Sequence, residues 1–114
     1  MNEYDDGRIW YKKKAGLVTV GLTEKVFEEI GSVQGISLPA EGDEVLQDDV
    51  VGEVEGVKTA FELVSPIDGT IEVVNEALVL EHELLESDPL DEGWIFKVRL
   101  TIPGEESEDE DDEE

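Results

Sequence analysis

Gly52-Glu-Val-Glu-Gly-Val-Lys-Thr-Ala-Phe-Glu-Leu63 places two short runs of strand-forming residues on either side of a Gly56-Val57-Lys58 turn. Val51 to Glu55 and Thr59 to Val64 read as the strands of a hairpin, with Lys58 at its tip. Lys58 is also the only Lys or Arg between Lys25 and Lys97, in a region crowded with Asp and Glu. A solvated turn lysine is the ordinary explanation. Its isolation at an exposed corner points instead to a lysine used chemically, as a covalent attachment point.

Outward from the hairpin the chain reads mainly as short strands. Arg8 to Lys12 and Leu17 to Gly21 form a hairpin through Lys14, Ala15 and Gly16, while Gly69 to Val74 and Gly93 to Arg99 supply two more strands. Thr23 caps a short helix to Ile30, with Val26, Phe27 and Ile30 on one side and Gly31 as its stop. A Glu- and Leu-rich segment around Glu83 to Glu86 separates the last two strands. Gly42-Asp43-Glu44-Val45 and Asp68-Gly69-Thr70-Ile71 echo each other, one on each side of Lys58. Short strands spaced by turns predict a small antiparallel sandwich or barrel with one or two short helices. Trp10, Phe61, Trp94 and Phe96 are its expected core aromatics.

Composition narrows the function. The 114 residues allow one domain with a modest core. With 32 acidic and 8 basic residues the formal charge is −24. Nucleic acid and anionic membrane surfaces are therefore excluded as partners, because affinity for both comes from Lys and Arg. Residues 104–114 hold nine acids and no apolar side chain, and read as a disordered tail; residues 1–7 read as a flexible N-terminus, leaving a domain over 8–103. Without the tail, 23 acids against 8 bases still give −15. No cysteine is present, so disulfides, thiolate metal sites and thiol nucleophiles are absent. Neither a signal peptide nor a spanning segment is readable, and a cytoplasmic monomer is the expectation.

No catalytic constellation stands out. Paired carboxylates such as Asp43 with Glu44 arise freely among 32 acids. The lone His82 lies between Glu81 and Glu83 without metal-ligand spacing, and reads as a surface histidine. Gly52 to Gly56 enters a hairpin rather than a helix, and its acids would repel phosphate. Lys12, Lys13 and Lys14 read as a solvated hairpin edge that discourages pairing with other chains. The protein is expected to be no enzyme in its own right.

From Trp10 to Arg99 the chain resembles the H protein family of the glycine cleavage system. The resemblance is carried by Val18-Thr-Val-Gly-Leu-Thr23, Ile30-Gly31, Leu38-Pro-Ala-Glu-Gly-Asp-Glu-Val45, Gly52-Glu-Val-Glu-Gly-Val-Lys-Thr-Ala60, Leu63-Val-Ser-Pro-Ile-Asp-Gly-Thr-Ile71, Val74-Asn-Glu-Ala-Leu78 and Asp88-Pro-Leu-Asp-Glu-Gly-Trp94, in that order. It implies a β sandwich of the lipoyl/biotinyl-carrier type, a hammerhead barrel. It also implies a lipoyl group on Lys58, since the family's Glu-Ser-Val-Lys-Ala motif aligns with Glu55-Gly-Val-Lys-Thr59. Gly42 and Gly69, sixteen residues before the lysine and eleven after it, match glycines of lipoyl domains more widely. Glu55, Gly56, Gly42 and Gly69 are the implied recognition residues, with Gly56 expected to give the turn backbone angles closed to other residues.

The implied role is a non-catalytic carrier moving an aminomethyl group and reducing equivalents. Its implied partners are a glycine decarboxylase, an aminomethyltransferase and a dihydrolipoamide dehydrogenase, with a lipoate ligase or lipoyl transferase to load it. Arg8-Ile9-Trp10 departs from the family's His-Glu-Trp, and an acidic segment stands where the family has a C-terminal helical one. Those departures leave open an H-like lipoyl carrier for another pathway, such as sulfur oxidation or stress-linked modification. A biotin carrier would place methionines, rather than Val57 and Thr59, around the lysine. An unmodified binding domain that keeps only the fold is the remaining alternative.

Overall fold

The structure, a computed structural model, describes residues 1–100; the expected acidic tail of residues 104–114 lies outside them. Among the described residues nine strands form two antiparallel sheets. The larger contains β1 (Asn2–Tyr4), β2 (Ile9–Lys14), β3 (Leu17–Leu22), β9 (Phe96–Leu100), β8 (Gly69–Val74) and β5 (Glu44–Val45), in the order β1-β2-β3-β9-β8-β5. The smaller contains β4 (Val33–Ser37), β6 (Val50–Gly56) and β7 (Ala60–Val64), with β6 in the middle. Among the described residues each sheet ends in edge strands, so of the expected sandwich or barrel it is the two-sheet sandwich that forms, without closure. The helices among the described residues are α1 (Glu24–Ile30) and two single turns, α2 (Ala77–Leu80) and α3 (Leu84–Ser87), against the one or two expected.

Alternation places Ile9, Val18, Val20, Leu22, Ile71, Phe96 and Val98 on one face of the six-stranded sheet, where they meet Val54 and Leu63 of the other. Val26 and Ile30 of α1 and Leu78 and Leu85 of α2 and α3 close the ends of this core. Phe96 is core as expected, and Phe61 packs against it while half-buried. Trp10 is buried on the other face of the larger sheet, where its Nε1 donates to the Pro89 carbonyl at 2.9 Å and Gly21 leaves room for the ring. Trp94 is only half-buried, because it precedes β9 rather than lying in it; the Lys97 ammonium stands 5.0 Å from its ring.

Asn2–Tyr4, expected to be part of a flexible terminus, pair with Ile9–Tyr11, and the Tyr4 hydroxyl bonds Asp48 across the molecule. The Asp48 carboxylate holds the Tyr4 phenol above its ordinary range. β1 stops short of Lys12, Lys13 and Lys14, which form the uncovered part of the β2 edge. Cross-strand register puts Lys12, Lys14, Lys97 and Arg99 on the outer face of the larger sheet, half of the chain's eight cations. Glu72 meets Arg99 there through two hydrogen bonds, and the guanidinium holds its carboxyl below the usual range.

Thr23 caps α1 as expected, accepting from the Lys25 amide at 3.3 Å. Its hydroxyl also donates to the Gly7 carbonyl at 2.6 Å, and Arg8 reaches Glu29 at 3.0 Å, so the helix is tied to the N-terminal segment along its length. β4 had no clear signature because Val33-Gln-Gly-Ile-Ser37 lacks a clean alternation and carries a bulge between Val33 and Gly35. The β2–β3 hairpin turns on Ala15 and Gly16, with φ of 53° and 80°, the left-handed pair of a two-residue hairpin. Ala15 is poorly suited to that angle. Replacing it by Asn is expected to stabilise the fold by about 1 kcal/mol, raising the melting midpoint by about 4–8 °C. Equal thermal midpoints would show that Ala15 is not held at positive φ.

Candidate functional site

Lys58 lies at the tip of the β6–β7 hairpin, as expected, and is exposed. The strands run one residue differently from the expectation: Gly56 ends β6, Ala60 begins β7, and Val57, Lys58 and Thr59 make the turn. Glu55 pairs with Ala60, and the Gly56 N–H donates to the Thr59 carbonyl at 3.0 Å. Among the described residues the Lys58 ammonium has neither an ion pair nor a hydrogen bond. The side chain is thus free while its backbone is fixed.

That fixing comes from the C-terminal end of α1. The Lys58 N–H donates to the Ile30 carbonyl at 2.8 Å, and the Val57 N–H to the Ser32 carbonyl at 3.0 Å. A helix end leaves carbonyls without intrahelical partners, and the turn supplies a donor to one of them. Gly31, at φ 82°, turns the chain out of α1 and donates to the Phe27 carbonyl at 3.0 Å. A side chain on Gly31 would meet Val57 Cγ2 at 2.6 Å and Lys58 Cγ at 3.3 Å.

Gly56 corrects an expectation. Its φ is not in the left-handed region, so it does not supply unusual turn angles. It is glycine because a Cβ there would collide with the Ile30 carbonyl oxygen and lie 2.7 Å from the Ile30 side chain. Two glycines from separate parts of the chain, Gly31 and Gly56, therefore let the turn rest on the helix end. In the sequence Gly31 reads only as a helix stop. Its contact with a turn 26 and 27 residues later leaves no local signal.

Of the other implied recognition residues, Glu55 is exposed on β6 beside the turn. Gly42 and Gly69 are not brought to it. They lie toward the open end of the hairpin, where Val50 pairs with Val64; Gly69 begins β8 of the larger sheet and Gly42 sits in the turn before β5. There the two echoing segments pair with each other: Glu44 faces Thr70, Val45 faces Gly69, and the Gly42 and Ile71 N–H groups donate to Ile71 and Asp43 carbonyls at 2.8 Å. Gly42 has φ 95° with open space around it, whereas a Cβ on Gly69 would strike the Arg99 carbonyl. Their spacing from the lysine reflects how two β units join.

The smaller sheet exposes a face of one sign. Glu53 and Glu62 are direct cross-strand partners, with Glu55 two residues along β6, and all three are exposed. Like charges so placed are destabilising, and no cation sits among them in the register. At the other end of α1 an open groove of about 690 Å³ is lined by Glu3, Asp6, Trp10, Lys25 and Glu28 among others. His82, expected at the surface, is half-buried, and its Nδ1 has no hydrogen-bond partner among the described residues. No described group of three or more His, Asp or Glu is placed to hold a metal, and no described helix is long and apolar enough to cross a membrane.

Comparison with known proteins agrees with this geometry. The profile of the family "Glycine cleavage H-protein" matches residues 2–114. The glycine cleavage system H protein of Salinibacter ruber is 38% identical over 105 residues, covering 92% of this chain and 85% of that protein. That of Thermotoga maritima is 39% identical over 105 residues, with the same coverage of 92% and 85%. The crystal structure of a glycine cleavage system H protein from Mycobacterium marinum superposes with a TM-score of 0.79 at 32% identity, over 86% of this chain and 82% of that one. The chain belongs to the glycine cleavage H-protein family.

Proposed function

We propose that the protein is the lipoyl carrier of a glycine cleavage system, with lipoate joined by an amide to Lys58 Nζ. The observation that carries this reading is an exposed, unpaired lysine on a turn whose backbone is bound to the end of a helix. Such a turn presents one amine in a constant position to a ligase, then holds the root of an arm while its far end moves. The bound lipoyl group supplies the disulfide–dithiol and group-carrying chemistry, and the chain supplies position and recognition. Residues 8–103 are the carrier domain in this reading, with β1 added along its edge.

The residues around Lys58 divide the work. Ile30 and Ser32 hold the turn, Gly31 and Gly56 permit the approach, and Glu55 marks this lysine apart from Lys12, Lys13 and Lys14. The partners are a glycine decarboxylase and an aminomethyltransferase that load and unload an aminomethyl group, and a dihydrolipoamide dehydrogenase that reoxidises the carrier. Lipoate ligase or lipoyl transferase makes the attachment. Tethering raises the effective concentration of the carried group at each station. The acidic face formed by Glu53, Glu55 and Glu62 favours fast, salt-sensitive encounters with cationic surfaces.

Incubation with a lipoate ligase, followed by peptide mass spectrometry, is expected to place a single lipoyl group on Lys58; Lys58→Arg should take up none. A lipoyl group on the Lys58→Arg protein would overturn the assignment.

Gly56→Val is expected to slow lipoylation about tenfold or more, a free-energy change of about 1.4 kcal/mol, by driving the turn off Ile30. Exchanging the two tip residues, as Val57→Lys with Lys58→Val, should nearly abolish modification, since adjacent positions point differently. Initial rates, measured after circular dichroism has established folding, check both. A parental rate for the exchanged pair would mean that the ligase reads exposure alone.

A further inference from the structure

The contact that holds the start of β4 comes from a segment far away in the sequence. Glu86 Oε2 accepts a hydrogen bond from the Val33 N–H at 2.6 Å. Val33 is the cross-strand partner of Gly56 and follows Ser32, whose carbonyl receives the Val57 N–H. Two residues before Ser32, the Ile30 carbonyl receives the Lys58 N–H. One carboxylate is therefore bound to the short piece of chain, Ile30 to Val33, on which the lysine turn rests. Glu86 lies in α3, next to Leu85 of the same turn, which is fully buried in the core. The carboxylate is thus delivered from an anchored helical turn rather than from a free loop.

From this arrangement we infer that Glu86 is a positioning residue for the lysine-bearing turn, acting through Val33. The inference rests on the reading of Lys58 as the attachment site. A bond from an ionised carboxylate to a backbone N–H is stronger than one between neutral groups. Without it the Val33 N–H loses its partner, and Gly31, Ser32 and Val33 move apart from the turn more often. The ligase then meets a turn that is correctly formed for a smaller fraction of the time. That lowers apparent affinity and leaves the rate at saturation unchanged. Glu81 and Glu83, of equal charge in the same segment, make no side-chain hydrogen bond among the described residues and provide the comparison.

The test uses the full chain with Glu86→Ala, Glu86→Gln and, as a charge control, Glu81→Gln. Amide hydrogen exchange by NMR reads Val33, Val57 and Lys58 directly and needs no lipoate. Lipoylation at varied protein concentration separates KM from kcat. Glu86→Ala is expected to speed exchange at those three amides about three- to tenfold, and to raise KM by a similar factor with kcat unchanged. Glu86→Gln keeps an oxygen acceptor and should restore most of both; Glu81→Gln should match the parent. Parental exchange and KM in Glu86→Ala would overturn the inference. So would acceleration spread evenly over all amides, or equal defects in Glu86→Gln and Glu81→Gln. A parent that takes no lipoyl group would instead defeat the reading of Lys58, and the exchange measurement would still decide the role of Glu86.

Discussion

The close approach between the Val57–Lys58 turn and the C-terminal end of α1 organises this molecule. It requires two positions without a side chain, Gly31 and Gly56, and it satisfies two carbonyls, Ile30 and Ser32, that would otherwise face the turn without partners. Because Ile30 is also fully buried, the position of the lysine is referred through α1 to the hydrophobic core. Val54 and Leu63, buried on β6 and β7, anchor the hairpin from its other side. An exposed, unpaired side chain is thereby mounted on a backbone hydrogen-bonded to the end of α1. An isolated two-stranded hairpin would give no such reference.

Charge is distributed to a different end from stability. Glu53 opposite Glu62 works against the very hairpin that carries Lys58, whereas Glu72 with Arg99 on the larger sheet is a favourable cross-strand pair. Exposed pairs of either kind contribute little, so neither decides whether the chain folds. The core of Ile, Leu, Val and Phe side chains carries that burden. This division leaves surface charge available for recognition.

Most strands were legible because they follow the period-2 pattern, and α1 because Thr23 and Gly31 mark its ends. The hairpin that carries Lys58 was legible through the strand-forming runs on either side of the turn. The site contacts that sequence missed share one physical character: they join residues distant along the chain. Neither Glu86 on Val33, 53 residues apart, nor Gly31 beneath Val57 has a local pattern. The error over Gly56 is instructive, because a glycine beside a turn invites a backbone-angle explanation when the real constraint is a carbonyl from another element. Gly42 and Gly69, at fixed offsets from the lysine, stand where β5 pairs with β8, away from the turn. Asn2–Tyr4 gave no signal of strand formation because three residues are too few for periodicity.

Lys12, Lys14, Lys97 and Arg99 share the outer face of the larger sheet, while Glu53, Glu55 and Glu62 share the outer face of the smaller one. Stacked sheets turn these faces in opposite directions, and although Glu3, Glu44 and Glu72 stand among the cations of the larger sheet, the charged residues on the smaller sheet's face are glutamates alone, so charge is uneven between the two. In the field of a cationic surface such a body experiences a torque as well as an attraction, turning the glutamate side inward before contact. Rotation of this kind acts over roughly a Debye length, about 8 Å at physiological ionic strength. The sheet that carries the lysine is therefore the one brought round first, and salt blunts that alignment along with the attraction.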